Sequence, residues 1–173
     1  MVMNVVVPAL MCVQEYLRTS YEHEPEFVNG EIIERGMTTF TYSDMQRSLC
    51  VKLDPYRKSH NLFTCPAIRV WSSERVFRIP DVAVFIGRPA ELPADPPLIA
   101  VEIASPDDRL SNIFEKFREY RHWGVRHIWL IEPHALEIFT FDGSINKTEA
   151  FVVPEYGIRI EATGIFSSAE ALG

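Results

Sequence analysis

Residues 98–104 form a near-continuous apolar run, Leu-Ile-Ala-Val-Glu-Ile-Ala, interrupted by one acid, Glu102. A run of this kind fits a central strand covered on both faces. An ionised carboxylate there costs several kcal/mol, a rough figure, unless it is paired or bound to a cation. Strand alternation puts Leu98, Ala100, Glu102 and Ala104 on one face, and the two small alanines leave room beside the carboxylate. The residues that follow, Ser105, Pro106, Asp107 and Asp108, carry the signals of a helix start: serine as N-cap, proline at N1 and acids in the first turn. That helix runs to about Trp123 and stops at Gly124. With a strand at residues 126–132, the segment 98–132 is a βαβ unit and the chain is α/β.

The remaining pattern is consistent with one domain over residues 1–173, the length being typical of a single core. A first helix is expected near residues 9–20. Asn29-Gly30, between two apolar-containing segments, is a hairpin signal because a type I′ turn needs positive φ at both central positions; Glu31 then opens the second strand. Met45, Leu49 and Leu53 recur at four-residue spacing in a helix expected over residues 42–58. Residues 63–70, 75–85 and 136–141 are β-rich, and residues 151–153 and 157–160 are expected to extend the sheet. Prolines cluster between Pro89 and Pro106, which marks a rigid loop.

Several function classes are disfavoured. Residues 1–11 are apolar but carry no Lys or Arg and are too short to span a bilayer, so they read as a core strand or an edge against a partner. Cys12, Cys50 and Cys65 form no CxxC pair and the five histidines are scattered; buried free thiols in a reducing cytoplasm are expected, and neither a zinc site nor a disulfide framework. Ser105 has no G-x-S-x-G elbow, and no glycine-rich phosphate loop is present. A net charge of −7 argues against a broad basic grip on nucleic acid but leaves room for a local groove, with Lys52, Arg57 and Lys58 in one basic group and Lys116, Arg118 and Arg121 in another.

Asp81, after Pro80 and before the β-rich Val82-Ala83-Val84-Phe85, is a second acid at a strand entry. Alone it also suits a turn; together with Glu102 it makes a hard-oxygen pair suited to Mg²⁺ or Mn²⁺. Asn112, Lys116 and Tyr120 are spaced by four and share a stripe on the helix after Glu102. On spacing alone Lys116 is either a solvated lysine paired with Glu119 or Asn112, or a cation turned back over the carboxylates.

Asn29-Gly30-Glu31, Pro80-Asp81-Val82, Val101-Glu102-Ile103-Ala104-Ser105-Pro106, Lys116 with Tyr120, and Gly124-Val125 leading into Ile128-Trp129-Leu130-Ile131-Glu132-Pro133 occur in this order. The combination, over about residues 10–168, resembles the Uma-two family of putative restriction endonucleases, a branch of the PD-(D/E)XK nuclease superfamily. The resemblance implies a restriction-endonuclease-like mixed central sheet flanked by helices, and metal-dependent hydrolysis of phosphodiester bonds in DNA. It implies that Asp81, Glu102 and Glu31 hold a divalent metal, Mg²⁺ or Mn²⁺, and that Lys116 acts as the lysine of the motif, displaced from the strand, where Ala104 stands. Tyr42 stands where the family often has histidine, and Asn112 where it favours aspartate; with Tyr120 they are candidates to contact phosphate or support the metal ligands. A homodimer is expected if two strands are to be cut. The competing expectation is a catalytically silent nuclease-like fold used for binding or assembly.

Overall fold

A computed structural model describes residues 10–36, 38–106 and 108–170. The apolar run over residues 1–11 lies outside them apart from Leu10 and Met11, as does Asp107. In chain order the elements are α1 (Val13–Arg18), β1 (Glu26–Val28), β2 (Glu31–Ile33), α2 (Phe40–Leu53), α3 (Tyr56–His60), β3 (Leu62–Pro66), β4 (Val70–Ser73), β5 (Val76–Arg78), β6 (Val82–Ile86), β7 (Ile99–Ile103), α4 (Leu110–Trp123), β8 (His127–Glu132), β9 (Glu137–Phe141), β10 (Ile145–Thr148), β11 (Ala150–Val153), β12 (Ile158–Glu161) and α5 (Ala162–Glu170).

The central sheet has six strands in the order β10-β9-β8-β7-β6-β3. Only β7 and β8 run parallel, joined by α4 in the expected βαβ crossover; the other pairs are antiparallel. Alternation along β7 divides the core. Ile99, Val101 and Ile103 meet α2, α5 and the β11–β12 ribbon through Met45, Leu49, Phe151, Ile160 and Phe166. Ala100 faces α4 through Ile113, Phe117 and Tyr120, and Ala104 packs on that side as expected, whereas Leu98, one residue before the strand, joins the other cluster.

A smaller sheet, β2-β1-β5-β4, packs Phe27 and Phe77 on Tyr16 of α1. Its hairpin turns on Asn29 and Gly30, with φ of 53° and 101°. The register Phe27↔Phe77 continues to set Glu26 opposite Arg78. From Arg78 the chain passes through Ile79, Pro80 and Asp81 into β6, so this corner joins the two sheets.

Four local expectations are corrected. The helix over 42–58 is two helices, because Pro55 has no N–H to continue the ladder and α2 ends at Leu53. The helix after Glu102 begins at Leu110 and not at Ser105: the Asp108 N–H returns to the Ser105 carbonyl and the Asp108 side chain accepts from the Ser105 N–H, a closed turn that ties up the Asp108 carboxylate and the Ser105 backbone before the helix starts. The strands near residues 151–160 form their own two-stranded ribbon and do not extend the central sheet. Cys12 is exposed, and Cys50 and Cys65 are half-buried; all three are free thiols, none fully buried. At the other end of α4, Gly124 stops the helix as expected, at φ 115°.

Candidate active site

β6 and β7 pair antiparallel with Val82 opposite Val101, so the next step of the register sets Asp81 against Glu102. Both acids are buried, with 4% and 8% of their surface exposed. The side of β7 that carries Glu102 faces α4, which brings Lys116 and Tyr120 over it. Lys116 Nζ lies 2.7 Å from Glu102 Oε2, and the Tyr120 hydroxyl donates to Glu102 Oε1 at 2.7 Å. Exposure falls along the stripe from Asn112, which is exposed, to Tyr120, which is fully buried. Asn112 is thus at the outer end of the stripe.

Lys116 has a second partner that the sequence did not single out. Its Nζ lies 2.7 Å from Glu26 Oε1. Glu26 also accepts from the Ile79 N–H at 2.9 Å and from Arg78 Nη1 at 3.0 Å, and Arg78 closes a bidentate pair with Glu119 on α4. Glu31, the expected third acid, is exposed on β2. It stands opposite Val28 beside the turn, whereas Glu26 is at the far end of the hairpin, opposite Ile33. The two positions are about 7 Å apart along the ribbon, and it is the acid at the far end that meets Lys116.

Asp81 is held on both oxygens. Oδ2 accepts the Ile103 N–H at 2.7 Å; Oδ1 accepts from Arg35 Nη2 at 2.7 Å and from the Tyr42 hydroxyl. Gln46 Nε2 donates to the Asp81 carbonyl at 2.7 Å. Tyr42 is brought against a carboxylate of the pair; Arg35 and Gln46 are additions.

Three carboxylates around one lysine set the electrostatics. Burial works to raise Glu26, but Lys116 and Arg78 outweigh it and its pKa is lowered. Glu102 has no such surplus. Burial, with Asp81 and Glu26 adding to it against Lys116, pushes its carboxyl up to about 8. Burial also raises Asp81 despite its cationic neighbours. Burial opposes the Lys116 charge, but Glu102, Glu26 and Asp81 prevail, so its pKa is raised and it stays an ammonium at neutral pH.

This donor set fits a small divalent cation. Among the described residues, no group of three or more His, Cys, Asp or Glu side chains gathers as a metal cage. Mg²⁺ does not need one: one or two carboxylates, water and substrate phosphate are its usual ligands. Asp81 and Glu102 are the two carboxylates that could serve, and both carboxyls are raised first by burial, so a cation entering the site would offset the cost of ionising them there.

The fold is similar to that in the crystal structure of a putative nuclease belonging to DUF820 from Anabaena variabilis, with a TM-score of 0.79 and 20% sequence identity over 89% of this chain and 96% of that one. No curated protein matches the chain. Residues 13–157, most of the chain and all of the carboxylate–lysine cluster, match the Uma2 family, described as putative restriction endonuclease, and the chain belongs to that family.

Proposed function

We propose that the protein is a Mg²⁺- or Mn²⁺-dependent endonuclease that hydrolyses phosphodiester bonds in DNA, a PD-(D/E)XK enzyme with its lysine on α4. The observation that carries this reading is Lys116 Nζ, 2.7 Å from both Glu102 and Glu26, beside Asp81 at the entry to the adjacent strand. Asp81 and Glu102 hold the metal; Glu26, and not Glu31, is the third acid. A bound divalent ion supplies Lewis acidity toward the phosphoryl oxygen and lowers the pKa of water. Lys116, held cationic and fixed by two carboxylates, donates its Nζ protons to the developing negative charge or orients the attacking water. It does not serve as the base, because its proton is retained at neutral pH. Tyr120 holds Glu102 in place and has no free path to the phosphate, since its hydroxyl is buried on Oε1.

A second reading, a silent nuclease fold that binds or assembles, is favoured by one feature: Arg35 and Tyr42 together cover Asp81 Oδ1. Incubating the protein with plasmid and single-stranded DNA, in Mg²⁺, Mn²⁺ or chelator, separates the two. Metal-dependent nicking that disappears in Glu102→Ala supports the enzyme. Nicking that survives that substitution refutes the site, and no nicking by the unsubstituted protein favours the silent fold.

A further inference from the structure

We propose that Arg35 is a built-in counter-ion that competes with the divalent cation for Asp81, so that metal affinity is set by a residue that is not a ligand. The inference rests on the metal reading above. Asp81 Oδ2 is committed to the main chain, accepting the Ile103 N–H at 2.7 Å. Oδ1 is the oxygen left for an incoming ion, and Arg35 Nη2 lies 2.7 Å from it. A guanidinium at that distance and a metal on the same oxygen cannot coexist without mutual repulsion and crowding. The two occupants differ in how firmly they are built in. Ile103 is part of β7, whereas Arg35 follows the end of β2 and is in no regular element. Its side chain is 28% exposed against 6% for Asp81, so it can swing to water while the carboxylate stays. Arg35 also lies within 3.4 Å of the Tyr42 hydroxyl, which donates to the same Asp81 oxygen. Its neighbour Gly36 is close to the loop after β7: a Cβ there would stand 3.2 Å from Ser105 Oγ, a buried hydroxyl with no partner. Arg35 therefore lies where the turn after β7 borders the carboxylates.

Mn²⁺ binding to the full chain, without DNA, tests this by electron paramagnetic resonance of the free ion and by calorimetry. Arg35→Gln removes the charge and is expected to tighten Mn²⁺ binding at least tenfold. Arg35→Lys keeps the charge and is expected to stay close to the unsubstituted protein, a control for packing effects. Asp81→Asn combined with Arg35→Gln is expected to abolish the gain. Equal or weaker binding by Arg35→Gln, with measurable binding by the unsubstituted protein, overturns the competition and leaves the metal reading intact. No binding by any of these proteins overturns the metal reading and the competition with it.

Discussion

Replacing Glu102 by Gln keeps the shape of the side chain and one acceptor oxygen, turns the other into an NH₂ donor, and removes the ability to ionise. The Glu102 carboxyl is raised from 4.5 to about 8, first by burial and then by Asp81 and Glu26, with Lys116 opposing. In the unfolded chain it ionises near 4.5; in the folded chain it keeps its proton until about pH 8. The stability tied to this group is therefore complete below pH 4.5 and is lost as pH rises toward 8. At about 1.4 kcal/mol per pH unit, the interval from 4.5 to neutral corresponds to about 3 kcal/mol. Lys116 stays an ammonium across this range in both proteins, and the difference between the two stability profiles reports the Glu102 charge together with its coupling to Asp81 and Glu26. In urea unfolding with chelator present, Glu102→Gln is expected to gain about 3 kcal/mol on the unsubstituted protein between pH 4.5 and pH 7. A difference that stays flat across this range would show that Lys116 offsets the cost of burying the Glu102 charge in full, and would refute the argument that burial raises this carboxyl.

Other substitutions probe the neighbours. Lys116→Gln is expected to slow single-turnover nicking about 100-fold or more, the scale of losing one donor to a developing oxyanion. Glu26→Gln leaves Arg78 and Lys116 short of a buried partner and is expected to cost about 3 kcal/mol, read from the urea midpoint. Gly124→Ala places a side chain at φ 115° and 3.3 Å from Pro96 Cγ, and is expected to cost about 1–2 kcal/mol in thermal unfolding without altering metal binding.

Glu102 was legible because a charge inside an apolar strand has few explanations, and Asp81 because it opens the next β-rich run. Those signals are local. Glu26 gave no such signal: in Glu24-Pro25-Glu26-Phe27 it reads as one more surface acid. Its role comes from strand pairing with β5, 52 residues away in its contact with Arg78, which no local pattern encodes. Glu31 was the more visible acid because it follows the Asn-Gly turn, yet that same proximity to the turn leaves it in solvent. Lys116 sits between these cases. Its spacing fits either a solvated or an inward lysine, and only the three-dimensional path of α4 over β7 decides. The misplaced start of α4 has a similar cause: Ser105 and Asp108 are good capping residues, and they satisfy each other's backbone before the helix begins.

The construction of the site also explains which of its properties can vary. Glu26 is fixed by the Ile79 N–H at the corner where the two sheets join and Asp81 by the Ile103 N–H at the end of β7, both main-chain donors. Glu102 lies inside β7 and needs no such tether. Moving any of the three acids means moving a strand, so their spacing is a property of the fold. The groups that meet them are of another kind: the charged Lys116 and Arg35 and the neutral hydroxyl of Tyr42 reach in on side chains from α4, the segment after β2 and α2. Substitutions there alter charge while the carboxylates keep their places. On the metal reading proposed above, cation affinity then changes through Arg35 with no change in the acids.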